Sequence, residues 1–249
     1  MPRLWITILC GLILNTSLVH AETLLIDPDQ VFTSAAEAYE KGDYDQSAAL
    51  YEQLLAAGYD DVAVTFNLGN VYFRSSDVGR AVLNYRKAWY KAPRDADILT
   101  NLKHVQNKAK LVSPETGPLD RMFQTLGPGE WAACLLIALW VGGLCFLGSL
   151  YKTHRKVGMR RATLSFVLVA LVAGSGMLHW RNFHRRQEAV VILDKQQVKY
   201  GPLAAAKAHF DVPPGSIVRI MERSEEWLRV TLNEKSGWIE ESACALVNQ

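Results

Sequence analysis

Two apolar runs constrain this chain more than anything else in it. Trp131 to Tyr151 is about twenty-one uncharged residues, and Ala162 to Trp180 about nineteen. At about 1.5 Å per helical residue, each matches the roughly 30 Å of hydrocarbon in a bilayer. Trp131, Tyr151 and Trp180 stand at the ends of the runs, where amphipathic rings favour the headgroup zone. A buried core helix is a poor alternative, because no soluble portion of a 249-residue chain is large enough to enclose both. Between them, residues 152–161 hold five Lys or Arg and no acid. Positive charge is retained in the cytoplasm, so the expectation is a hairpin of transmembrane helices at 131–151 and 162–180 joined by a cytoplasmic loop at 152–161. Residues 22–130 and 181–249 then return to the opposite side. Arg181, Arg185 and Arg186 pull the other way, without outweighing the loop. Ala138-xxx-Gly142 and Ala170-xxx-Gly174 offer small faces for close helix contact. No Asp, Glu, Lys or Arg lies in either run, and His179 stands only at the edge of the second, which describes an anchor rather than an ion pathway.

The N-terminus agrees with this topology. Arg3 precedes an apolar stretch from Leu4 to Leu14, and Ser17 to Ala21 provides small or medium residues at the −3 and −1 positions of a cleavage site. The stretch is too short to span, so residues 1–21 read as a signal peptide. The net charge of +2 hides an asymmetry: residues 22–111 are slightly acidic, residues 189–249 near neutral, and the surplus lies between Lys152 and Arg186. Basic residues that flank apolar runs orient a membrane protein; a nucleic-acid binder would interleave them with aromatics on a folded face. Of four cysteines, only Cys244 falls in an exported fold, so no internal disulfide and no metal-ligand spacing are expected.

Residues 28–95 are self-similar at a period of 34. Leu68, Gly69, Tyr72, Ala81, Tyr85, Ala88 and Pro93 fall where the tetratricopeptide (TPR) pattern wants them. Gly69, Ala81 and Ala88 are small where the paired helices cross, Leu68, Tyr72 and Tyr85 fill the surrounding volume, and Pro93 stops the second helix. A degenerate copy lies 34 residues earlier, with Ala35, Gly42, Tyr44, Ser47 and Tyr51. Ala96 to Leu111 carries Leu99, Leu102, Val105 and Ala109 on one stripe and reads as the capping helix of a module at 22–111. By the repeat pattern, Phe32, Ala36, Tyr39, Phe66, Asn70, Phe73 and Arg74 face a groove, joined by Asn101, His104 and Lys108 from the cap. Such a groove suits an extended partner segment bearing carbonyls or a carboxylate. The alternative is that Phe66 and Phe73 only pack against neighbouring repeats or the linker at 112–130.

After a linker at 181–188 the period changes to that of short strands. Ala189 to Leu193, Ser216 to Met221, Trp227 to Leu232 and Gly237 to Glu240 alternate or run apolar, with turns at Pro213-Pro214-Gly215 and Asn233. Residues 189–249 are expected as a small all-β barrel. The order of Val198-Lys-Tyr-Gly-Pro202, a glycine turn, Trp227 and Gly237-Trp238 resembles a bacterial SH3 (SH3b) domain. That resemblance makes Tyr200, Trp227 and Trp238 candidate contacts for cell-wall peptide or glycan, against the plainer reading of packing residues. The module would equally dock onto the helical repeat.

The fold class is thus a multi-domain membrane protein: an all-α TPR repeat, a two-helix transmembrane hairpin and an SH3b-like barrel. Pro128-Gly-Glu-Trp131 opening the hairpin, together with these modules, resembles the BatE family of the Bacteroides aerotolerance operon. The resemblance implies an inner-membrane protein with both modules in the periplasm, acting beside membrane-anchored von Willebrand factor A-type Bat proteins in stress tolerance. Three functions follow: a scaffold holding a protein partner in the groove, a sensor or tether binding peptidoglycan, and an enzyme. The last is disfavoured, since none of the six histidines pairs with a nucleophile or carboxylate at a recognisable spacing and no phosphate loop exists. No cofactor, no metal and no nucleic acid are expected.

Overall fold

The computed structural model describes residues 27–111, 117–151 and 156–247. The expected signal peptide at 1–21 lies outside them, as do 152–155 of the expected loop. Five helices come first: α1 (Pro28–Glu40), α2 (Tyr44–Ala56), α3 (Val62–Arg74), α4 (Val78–Lys91) and α5 (Ala96–Lys108). Each starts behind an aspartate. Asp27, Asp43, Asp61, Asp77 and Asp95 all accept hydrogen bonds from first-turn amides, which contributes about 1 kcal/mol per helix. Short turns fold successive helices back on one another. Gly42 and Gly58 sit at φ +80° and +90° after α1 and α2, where a side chain would be strained.

Small residues lie at the helix crossings. Ser47 donates its hydroxyl to the Ala35 carbonyl at 2.8 Å, with both residues buried. A Cβ on Gly69 would come within 2.8 Å of the Tyr85 ring. Gly69→Ala should therefore destabilise the fold by about 1–3 kcal/mol, measured by denaturant titration, although alanine is the better helix former.

The short helix α6 (Pro118–Phe123) leads into α7 (Pro128–Tyr151) and α8 (Lys156–His184). Pro128–Leu150 and Val157–His184, with mean hydropathies of 2.2 and 1.8, are long and apolar enough to cross a membrane. The second helix is longer than its expected span. It begins inside the segment expected as a loop and runs four residues past Trp180, because nothing in the cationic sequence breaks a helix. On α7 the inward positions Trp131, Ala138, Cys145 and Leu135, Gly142, Ser149 recur every seventh residue, the seam of a left-handed helix pair. Gly142 does pack closely, with its Cβ position 3.0 Å from Phe166. Ala170-xxx-Gly174 does not make the matching face. A Cβ on Gly174 would meet nothing within 4 Å, whereas Ala173 is buried and one on Gly176 would lie 2.5 Å from the Trp131 indole. Gly176→Ala is thus expected to splay this end of the pair, seen as lower thermal stability in detergent. Gly148→Ala should be tolerated, since only the mobile tip of Met159 approaches it.

Seven strands form one antiparallel sheet of order β3-β2-β6-β5-β4-β1-β7. They are β1 (Glu188–Val191), β2 (Gln196–Lys199), β3 (Ala208–Val212), β4 (Ile217–Ser224), β5 (Trp227–Leu232), β6 (Lys235–Glu240) and β7 (Cys244–Leu246). Ala189, Val191, Val198, Val218, Leu228, Val230 and Ile239 make the sheet's own core. All four residues of β1 are buried, because its other face belongs to a second core. Val190, Ile217 and Val247 pack there with the helical residues Val82, Trp89 and Tyr90 and with Trp180 and Phe183 of α8. An unbroken apolar run at 189–193 is what a strand enclosed on both faces requires.

Helix α4 is the hub of this second core, buried along nearly its whole length from Ala81 to Tyr90. Phe183, fully buried, contacts Trp89, Tyr90 and Trp180 with ring centroids at 5.2, 4.7 and 5.4 Å. Arg86 donates from Nε (3.0 Å) and Nη2 (2.8 Å) to one carboxylate oxygen of Glu188, and both side chains are buried. The same guanidinium lies 4.1 Å over the Trp89 ring. At the margin, a Cβ on Gly79 would fall 2.9 Å from the Ile192 backbone. The helical repeat, the sheet and the Trp131/Trp180 end of the helix pair therefore share one core.

Candidate functional site

The residues expected to line a groove divide into three groups. Phe73 of α3 and His104 of α5 meet edge to face at 5.4 Å, and the Lys108 ammonium lies 4.8 Å over the Phe73 ring. Phe73 and Lys108 border a cleft of about 200 Å³ with Ser76, Val78, Val105 and Ala109, and no strand residue lines it. Asn101 is half-buried on α5, one turn before His104. A second group gathers where α1 turns into α2. Arg74 Nε donates to the Tyr44 hydroxyl at 3.3 Å, and Tyr44 packs edge to face on Tyr39 at 5.7 Å. Tyr39 and Asn70 also border a smaller cleft of about 140 Å³. The third group is spent on internal packing. Phe32 lies against Tyr51 and Phe66 against Tyr85, while Asn70 accepts from the Tyr85 hydroxyl at 2.6 Å.

These clefts fall below the roughly 300–1,000 Å³ of small-molecule sites, so each is sized for single side chains of a docked segment. Tyr44, which joins Arg74 to Tyr39, was not among the expected groove residues. Its place in the helix turn beside Gly42 carries no sequence signal for a surface role.

On the sheet, Leu228 and Ile239 point inward, leaving Trp227, Arg229 and Trp238 on the outer face. Lys199 pairs with Trp238 across the strands, as does Arg229, and the Lys199 ammonium lies 5.0 Å over the Trp227 ring. Trp227 and Trp238 thus share a half-buried aromatic face with two cations. Tyr200 instead stacks on His209 at 4.2 Å and is 62% exposed. Gly237 lets β6 approach β2, since a Cβ there would fall 2.4 Å from Val198. Lys199 and Arg229 are the members that sequence reasoning missed, visible only once strand register is known.

Burial raises the tyrosine hydroxyls of Tyr51, Tyr72, Tyr85 and Tyr90 above their usual value, with Glu52 adding to the effect at Tyr72 and Glu188 at Tyr90. Burial also pushes the Cys244 thiol up to about 12. A group whose folded-state value is raised stabilises the fold below its unfolded value and loses that contribution as pH rises toward the folded one. Stability should hold to about pH 9 and fall progressively above it, as followed by circular dichroism. Cys244 should resist iodoacetamide at pH 8.5 in the folded protein and react once denatured.

Among the described residues, no group of three or more His, Cys, Asp or Glu is placed to hold a metal. No protein-family model matches the chain, and no curated protein matches it. Fold and geometry define a five-helix unit and an antiparallel sheet fused at one end of a pair of span-length helices, with two surface patches that join aromatic rings to cations.

Proposed function

We propose that the protein is a membrane-anchored periplasmic scaffold. In this reading α1–α5 are a TPR module with its cap, α7 and α8 form a transmembrane hairpin, and the sheet is an SH3b-like barrel. The partner is a protein segment held by the module, in a Bat-type envelope complex with von Willebrand factor A-type proteins as the partners implied by resemblance. The observation that carries this is the Phe73–Lys108 cleft, an aromatic wall with a cation above it and His104 packed on the edge of its Phe73 ring. It accepts an apolar side chain beside an acidic or carbonyl group, and its scaffold is braced by the common core.

Pull-down of the detergent-solubilised full chain tests this. Phe73→Ala with Lys108→Glu should abolish capture of the partner while leaving the thermal transition in place. Phe66→Ala and Asn70→Ala are unsuitable probes, because they strip packing and a hydrogen bond from Tyr85. Retention of the same partner by the Phe73/Lys108 variant would remove the scaffold reading.

A second reading, a peptidoglycan tether, draws on the Trp227–Trp238 face with Lys199 and Arg229. It predicts that the full chain pellets with purified cell wall and that Trp227→Ala with Trp238→Ala stops this, leaving protein capture unchanged.

A further inference from the structure

The end of the helix pair that carries α6 has features the scaffold reading does not use. Helix α6 is tied down on one side. Asp120 binds Arg186 at 2.9 Å, with His179 Nε2 3.4 Å from the same carboxylate, Phe123 stacks on His179 at 5.2 Å, and the indoles of Trp131 and Trp180 donate to the Phe123 and Leu126 carbonyls at 3.0 and 2.9 Å. Its exposed side presents Leu119 and Met122, one turn apart and 65% and 48% exposed, on the helix whose Phe123 carbonyl accepts from the Trp131 indole. On α8, Leu164, Leu168, Leu171 and Leu178 lie on one exposed stripe at helical spacing, with Ser175 between the last two. Arg181 prolongs that same stripe, about 5 Å beyond Leu178 at 1.5 Å per residue, and Arg185 follows in the turn just after the helix ends at His184. Both are exposed, and neither forms an ion pair among the described residues. Arg186, by contrast, is neutralised by Asp120.

We propose that this end of the hairpin is a lipid-binding collar, in which Leu119 and Met122 dip into the leaflet and Arg181 and Arg185 hold the phosphate of an anionic phospholipid. The inference rests on reading α7 and α8 as membrane spans. Continuity with the apolar stripe sets the depth, and two unpaired cations at headgroup height set the charge of the ligand. It also accounts for arginines on the side where the positive-inside rule disfavours them: they serve headgroup contact rather than orientation.

The test uses the full chain. Native mass spectrometry in mild detergent, with phosphatidylglycerol or phosphatidylcholine added, should show preferential retention of phosphatidylglycerol. Arg181→Gln with Arg185→Gln should weaken it roughly 30-fold, the equivalent of about 1 kcal/mol per arginine. Inorganic phosphate should not compete. Equal retention by the double variant, or competition by free phosphate, would overturn the lipid assignment. For the dipping helix, spin labels at Met122→Cys and Leu139→Cys in a cysteine-replaced chain in nanodiscs should both be relaxed more by dioxygen than by a water-soluble nickel chelate. If the chelate wins at 122 and dioxygen at 139, α6 does not dip and the collar fails while the spans stand. If the chelate wins at both, the spans themselves are wrong.

Discussion

Arg86→Met is expected to lower the stability of the folded body by about 3–5 kcal/mol, because it strands the buried Glu188 carboxylate without its only ion-pair partner among the described residues. For a body of this size that corresponds to roughly 6–20 °C in thermal midpoint. The loss is larger than any surface pair would give. Arg80–Asp77 and Arg94–Glu130 are each half-exposed on at least one side, where a pair contributes about 0–1 kcal/mol. The signature of a buried pair is non-additivity. Arg86→Met with Glu188→Leu should recover most of the loss, since removing both charges also removes the desolvation cost. Thermal unfolding of the detergent-solubilised full chain measures this. A double variant as unstable as the single ones would mean that the junction depends on the guanidinium's stacking over Trp89 rather than on its charge.

Phe183→Ala should have an effect of similar size, about 3–5 kcal/mol, through a different mechanism. Its ring is fully buried among Trp89, Tyr90 and Trp180, so truncation leaves a cavity walled by three stiff aromatics that cannot collapse into it. Phe183→Leu keeps most of the volume and should lose far less. The position lies where α8 meets the helical repeat, so the local readout is limited trypsinolysis. Cleavage after Arg185 and Arg186 should accelerate in Phe183→Ala and stay slow in Phe183→Leu. Unchanged cleavage in the alanine variant would show that the helix pair and the repeat do not hold each other.

How much of this was legible in the sequence depends on the range of the interaction. Helices α1–α5 were visible because small residues at the crossings and apolar stripes recur within a few residues, while the aspartate that caps each went unread. The span-length helices were visible from uninterrupted hydropathy, though their ends were not. Lys156 to Arg161 continue a helix, and the segment expected as a plain linker holds α6. Strands β2, β3 and β7 were missed, as Gln196-Gln-Val-Lys199, Ala208-His-Phe-Asp-Val212 and Cys244-Ala-Leu246 are too short to carry a period of two. The candidate site was legible in part. Phe73, His104 and Lys108 lie together, while Phe32, Phe66 and Asn70 are engaged inside the helical unit. Spacing fixes which way a side chain points, not whether a neighbour has already claimed it. The junction of Arg86 with Glu188 joins positions 102 apart, and no local pattern announces such a pair.

The central claim is that the repeat and the sheet lie on one side of the membrane, at the same end of the hairpin. Single cysteines at Lys41, Lys235 and Arg161, in a chain with its native cysteines replaced, test it with a membrane-impermeant maleimide on intact spheroplasts. Positions 41 and 235 should label equally and at once, and position 161 only after permeabilisation. Labelling of 41 without 235, or of 161 alongside both, would contradict the account.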